Sequence, residues 1–140
     1  TQVSKGYQEF LKLGGQVRFK TLDVKMLKEF FDKKIPILTG LSSTYLYRCP
    51  RECFTSDGEA YFDDIQGEPC GHFVVLCGYD EHHKLVVVAD PFRKNPFTDN
   101  NYYKVSSTRI INAILLGVLT YDATLLMIEP KNPPPTEEDS

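Results

Sequence analysis

The stretch Gly71–Pro91, GHFVVLCGYDEHHKLVVVADP, reads as two apolar strands around a polar turn, with an imidazole at one end and a carboxylate at the other. His72 opens the first strand and Asp90 ends the second. A carboxylate beside an imidazole is the orienter and base of acyl-transfer chemistry: it fixes the ring tautomer and stabilises the charged ring. Such a pair needs a nucleophile as its third member, normally Cys or Ser. The same two residues also have a plain reading, because a His at a strand start is ordinary and Asp-Pro commonly initiates a turn.

Strand side chains alternate between faces. His72, Val74 and Leu76 therefore share one face and Phe73, Val75 and Cys77 the other, while Val86, Val88 and Asp90 share a face in the return strand. A three-residue loop over Asp80–His82 sets His72 directly opposite Asp90. The same loop over Glu81–His83 offsets them by one diagonal step, and either keeps the Cβ atoms roughly 5–8 Å apart. A four-residue loop puts them on opposite faces. The spacing permits an imidazole–carboxylate contact without demanding it.

The four cysteines are Cys49, Cys53, Cys70 and Cys77, too few to suggest a disulfide scaffold at this length. Cys77 sits inside an apolar strand and reads as a small hydrophobe. Cys70 precedes His72 by two residues, about 6.5–7 Å along a strand, which is long for a direct hydrogen bond. It would also need a lowered pKa to attack, and its plain reading is a loop cysteine before Gly71. Cys49, Cys53, Cys70 and His72 together offer four sulfur and nitrogen ligands for a structural zinc, although C-x3-C with C-x-H is not a usual knuckle. The adjacent His82 and His83 read as solvated turn residues pointing apart. Asp63, Asp64 and Glu68 lack the alternating spacing that calcium requires and read as a solvated acidic loop. No glycine-rich phosphate loop occurs.

Elements must position these groups. Val3, Tyr7, Phe10 and Leu11 fall at helical spacing, and Gly14-Gly15 ends that helix. Gln16–Leu22 alternates and predicts a short strand. Asp23 is a fitting N-cap for a helix carrying Val24, Leu27, Phe30 and Phe31. Ile35–Leu41 reads as a strand with Pro36 near its start. Ser42–Pro69, rich in Pro, Gly and acids, reads as a long loop whose aromatics pack it down. After the hairpin come a strand over Asn101–Val105, a helix over Arg109–Leu119 capped by Ser106 or Ser107, and a last strand in ATLLMIEP. No internal repeat is visible. The order of elements predicts an α+β fold with a largely antiparallel sheet.

The chain has 140 residues and a net charge of −3, with acids and bases mixed, which suits one domain over residues 1–130. KNPPPTEEDS, Lys131–Ser140, has no core-forming residues and reads as a linker or disordered tail. There is no basic patch for nucleic acid, no polybasic run for a membrane surface, and no apolar run of spanning length. No signal peptide is evident, so a cytoplasmic location is the default expectation, and a chain starting at Thr1 reads as a piece of something longer.

GHFVVLCGYD followed by LVVVADPF resembles the double-glycine leader peptidase-like cysteine peptidases, a papain-like group. DVKMLKEFFDKKIPILTGL also resembles the helix and strand that precede the catalytic His in that family. The resemblance implies a general-base role for His72, an orienting role for Asp90, thiol-dependent cleavage of a peptide or isopeptide bond, and no cofactor. ILLGVLTYDATLLMIEP with the Pro-rich tail is similar to the form of this domain fused to an ATP-grasp ligase, which would be its neighbour in the parent chain. The sequence departs from the family at the nucleophile. The family's Cys opens a helix near the N-terminus in a Q-x-x-x-x-C-G motif, whereas Gln2 and Gln8 are followed by no such Cys and no Cys precedes Cys49. The expectation is a papain-like half-domain lacking the nucleophile segment and inactive in isolation. The alternatives are a non-catalytic binding or regulatory module attached to a ligase, and a structural zinc domain.

Overall fold

The computed structural model describes residues 2–49, 70–117 and 123–131, and the backbone alone of 52–54 and 60–62. Asp63, Asp64, Glu68, Leu119 and all of the tail beyond Lys131, each given a reading above, fall outside these residues.

Helix α1, Gln2–Lys12, forms where the helical spacing predicts it, but buries none of its residues. The strand expected over Gln16–Leu22 is absent: this stretch is irregular, and Phe19 is 90% exposed. Alternation yields a strand only where a partner accepts the ladder and one face is buried, and this segment has neither. Helix α2, Val24–Phe31, starts at Asp23, whose Oδ1 accepts the Met26 N–H at 2.7 Å. It buries Met26, Leu27 and Phe30. Strand β1, Ile37–Ser42, begins just after Pro36, where the missing proline N–H costs the ladder nothing.

The stretch read as a loop from Ser42 carries more structure than its composition suggests. Ser42 caps a short helix α3, Ser43–Tyr47, by accepting the Tyr45 N–H at 3.3 Å. Strands β2, Glu52–Phe54, and β3, Ala60–Phe62, pair antiparallel with each other. The main hairpin is β4, Gly71–Asp80, and β5, Leu85–Ala89. Strand β6, Tyr102–Ser106, runs into helix α4, Ser107–Leu116, with Ser106 as the cap, and β7, Leu125–Met127, follows.

The sheet order is β6-β5-β4-β1-β7, antiparallel at every pairing. One face carries Ile37, Leu41, Val74, Leu76, Val86, Val88 and Val105, all buried, and packs with Leu27 of α2, Leu46 of α3 and Ile110 and Ile114 of α4. Each such side chain stabilises the fold by about 1.5–3 kcal/mol, enough to lock the strand register to this face. The other face leaves Phe73, Tyr102 and Leu126 exposed. Helix α4 ends hard against β1: a Cβ on Gly117 would lie 2.5 Å from the Leu41 carbonyl carbon. This is the expected α+β architecture. Among the described residues no helix is long and apolar enough to cross a membrane.

Candidate active site

The site grows from the end of the buried sheet face. The β4–β5 connection is not a three-residue loop; Asp80 pairs with Leu85, which leaves the four-residue turn Glu81–Lys84. By parity alone that length would send His72 and Asp90 to opposite faces. A β-bulge reverses the outcome. Gly78 pairs with Val87 but Leu76 pairs with Val88, so Cys77 is an extra residue with no partner on β5. Beyond it Val75 pairs with Ala89, and the next step sets Asp90 beside Val74, one diagonal step from His72 and on the same face. The bulge also turns Cys77 outward. It is exposed rather than packed as a small hydrophobe, while desolvation against the strand still raises its thiol pKa.

His72 and Asp90 are in contact: Nε2 of the ring lies 2.7 Å from Oδ1 of the carboxylate. The Asp90 side chain is fully buried, and that of His72 keeps 23% of its surface exposed. Three further donors complete the carboxylate. The Phe92 N–H donates to Oδ1 at 2.8 Å, forming the turn expected of Asp-Pro. Tyr47 and Tyr103 donate their hydroxyls to Oδ2 at 2.5 and 2.8 Å. Burial by itself pushes the Asp90 pKa up, but the hydrogen bonds from Tyr47, His72, Tyr103 and Phe92 outweigh it and hold the group below the usual aspartate value. Both phenols move the other way: desolvation first, then the hydrogen bond to Asp90, raises each.

An ionised carboxylate only accepts hydrogen bonds, so Nε2 of His72 carries the proton that bridges the pair. In the singly protonated ring that bond leaves Nδ1 as the nitrogen with a free lone pair. Asp90 is the sole hydrogen-bond partner of the His72 side chain among the described residues.

The loop after Asp90 is tied from within. Asn95 is 5% exposed and spends its side chain on four bonds, donating to the Phe92 and Asn100 carbonyls and accepting from the Phe97 and Thr98 N–H groups. Asn101 donates to the Asp90 carbonyl at 2.7 Å, and its own carbonyl takes the Asp90 N–H at 2.8 Å. The Phe97 ring packs on Tyr103 and Tyr47 at centroid separations of 4.6 and 6.0 Å.

Sequence reasoning finds His72 and Asp90 but misses Tyr47, Tyr103, Asn95 and Asn101. Tyr103 was within reach, since it shares a strand face with Val105 and pairs with Val88, two residues before Asp90. Tyr47 carries no such signal, because its helix lies in a stretch that reads as loop.

Among the described residues the rival groupings do not assemble. Cys70 lies just before β4 and is exposed; its sulfur makes a long bond to the Gly71 carbonyl, at 3.9 Å, and none to His72. The Cys53 side chain lies outside the described residues, and among those described no cluster of metal-binding side chains forms. His82 and His83 do not point apart: their rings meet edge to face at 4.7 Å, and His83 bonds Asp80, which also holds Lys104.

Neither a curated protein nor a solved structure matches the chain. Residues 1–112, which include β4, β5 and every donor to the Asp90 carboxylate, match the family described as Peptidase_C39 like, and the chain belongs to that family.

Proposed function

We propose that the chain supplies the base and orienter of a cysteine-peptidase-like site, with His72 as base and Asp90 as orienter. The observation that carries this reading is the ring–carboxylate contact, which engages Nε2 and leaves Nδ1 to accept a proton. In the reaction a thiol gives its proton to Nδ1 while its sulfur attacks the carbonyl of a peptide or isopeptide bond. The imidazolium returns the proton to the leaving amine, and water then cleaves the thioester with the same base. Asp90 stabilises the imidazolium, and Tyr47 and Tyr103 hold Asp90 in place. Among the described residues the Cys70 and Cys77 sulfurs bond backbone carbonyls and not the His72 ring, and this proposal takes the nucleophile to be a thiol of the intact parent protein.

The second reading, favoured by the Cys70 and Cys77 sulfurs bonding elsewhere, is a binding or regulatory module attached to a ligase. One experiment bears on both. Iodoacetamide labelling at neutral pH, followed cysteine by cysteine by mass spectrometry, is expected to find no unusually fast thiol. Adding a polypeptide that carries the missing thiol should then produce peptide hydrolysis that His72→Ala abolishes. A fast cysteine whose reactivity disappears in His72→Ala would instead place the nucleophile within this chain. Hydrolysis that survives His72→Ala would remove the base assignment, and no hydrolysis with any such polypeptide would leave the binding module.

A further inference from the structure

A cavity of about 710 Å³ opens between α3 and the start of α4, and its lining includes Arg48, Arg109, Thr44, Tyr45, Ser106 and Thr108. Among the described residues no Asp or Glu lines it. Neither arginine takes part in a salt bridge or side-chain hydrogen bond among the described residues. Nε of Arg109 is buried without an acceptor, and its guanidinium lies over the Phe97 ring at 5.1 Å. Desolvation, then the nearby positive charge of Arg48, lowers the Arg109 pKa, so the two guanidinium groups are close enough to repel. Arg48 itself occupies a left-handed backbone position, φ 55°, that usually selects Gly or Asn.

Two unpaired guanidinium groups facing one cavity form an incomplete electrostatic unit, and a planar or tetrahedral oxyanion completes it with bidentate bonds. The hydroxyls add donors. Thr44 accepts the Cys70 N–H and Tyr45 accepts from Asn112, which leaves both O–H groups available to donate. The volume falls in the range of sites for whole small ligands and exceeds that of a bare ion, so the oxyanion belongs to a larger body. We propose that this cavity binds an oxyanion group, a carboxylate or a phosphate, carried by a ligand. The site adjoins the Asp90 cluster through Phe97 but does not depend on thiol chemistry.

Isothermal titration calorimetry of this chain tests it with three probes: N-acetyl-trialanine with a free carboxylate, the same peptide as its amide, and inorganic phosphate. The expected result is that the free acid or phosphate binds and the amide binds at least about tenfold more weakly, each tenfold being 1.4 kcal/mol. Arg48→Gln and Arg109→Gln should each weaken binding at least about tenfold, and His72→Ala should leave it unchanged. Binding by the acid alone assigns the site to carboxylates, and by phosphate alone to phosphates. Equal binding of acid and amide without phosphate binding, no binding of any probe, or binding indifferent to both arginines overturns the proposal. Arg48 is exposed, so Arg48→Gln carries the test if Arg109→Gln fails to fold. Loss of binding in the arginine variants with intact His72 chemistry separates this site from the peptidase reading.

Discussion

Nε2 of His72 and Oδ1 of Asp90 meet at 2.7 Å, and the other carboxylate oxygen is held by the hydroxyls of Tyr47 and Tyr103. The carboxylate is thus the hub of the site, and the ring is one of its four donors. Its removal should be felt first in stability. Asp90→Ala leaves the buried Tyr103 hydroxyl, the Tyr47 hydroxyl and the Phe92 N–H without their acceptor, and is expected to cost about 3 kcal/mol. Asp90→Asn should also lessen the loss of stability in acid. The folded pKa of Asp90 lies below the unfolded value of about 3.9, so its contribution is complete above that value and is lost as pH falls through the folded one. Urea midpoints measured from neutral pH down to about pH 2 should fall less steeply in Asp90→Asn than in the parent chain. Asp80, held low by His83 and Lys104, keeps part of the slope in both. Parallel acid limbs would show that Asp90 is not the responsible group.

The phenols give the alkaline counterpart. Tyr47 and Tyr103 have folded pKa values raised above the unfolded value of about 10, so their contribution is complete below about pH 10 and is lost as pH rises toward the folded values. Spectrophotometric titration of the tyrosines should show two of the eight ionising only as the chain unfolds. Tyr47→Phe and Tyr103→Phe should each delete one of these late groups. Smooth ionisation of all tyrosines in the folded chain is the opposing result.

Asn95 should behave as a core residue despite its polarity. Replacing it with Ala removes partners from two carbonyls and two N–H groups in the Pro91–Asn101 loop, at an expected cost of about 2–3 kcal/mol by urea unfolding. Amide exchange of Phe97 and Thr98 should accelerate in Asn95→Ala more than that of Val86 and Val88. Uniform acceleration would mean that the loop is not the part released.

Gly117→Ala tests the approach of α4 to β1. The added methyl meets Leu41 and Ser42 backbone, which cannot swing aside as a side chain can. The expected destabilisation is about 1–3 kcal/mol, although Ala is the better helix residue. An unchanged or raised melting temperature would contradict the contact.

The core of this fold is legible because it rests on periodicity. Asp23 and the Val24–Phe31 pattern give a capped helix, and the alternation around Val74, Leu76, Val86 and Val88 gives paired strands with the correct buried face. Gln16–Leu22 shows the same alternation and fails, because a ladder needs a partner that no local pattern reveals. Tyr47 was hidden for a related reason: its helix has five residues, too few to show a period, and Ser42 looks equally suited to a loop. His72 and Asp90 were found with the wrong turn length. The turn and the bulge are two departures of one residue each, and they compensate, so parity was right while its stated route was not.

The extra residue at the bulge uncouples the pair from the length of the hairpin. Leu76 already faces Val88 and Gly78 faces Val87, so deleting Cys77 would leave a regular ladder with Asp90 still beside Val74. A change of one residue within Glu81–Lys84 is taken up by the turn while the buried valines keep Asp80 opposite Leu85. The packed sheet, and not the count of residues in the connection, keeps imidazole and carboxylate together, so this hairpin tolerates single-residue length changes at either place without parting them.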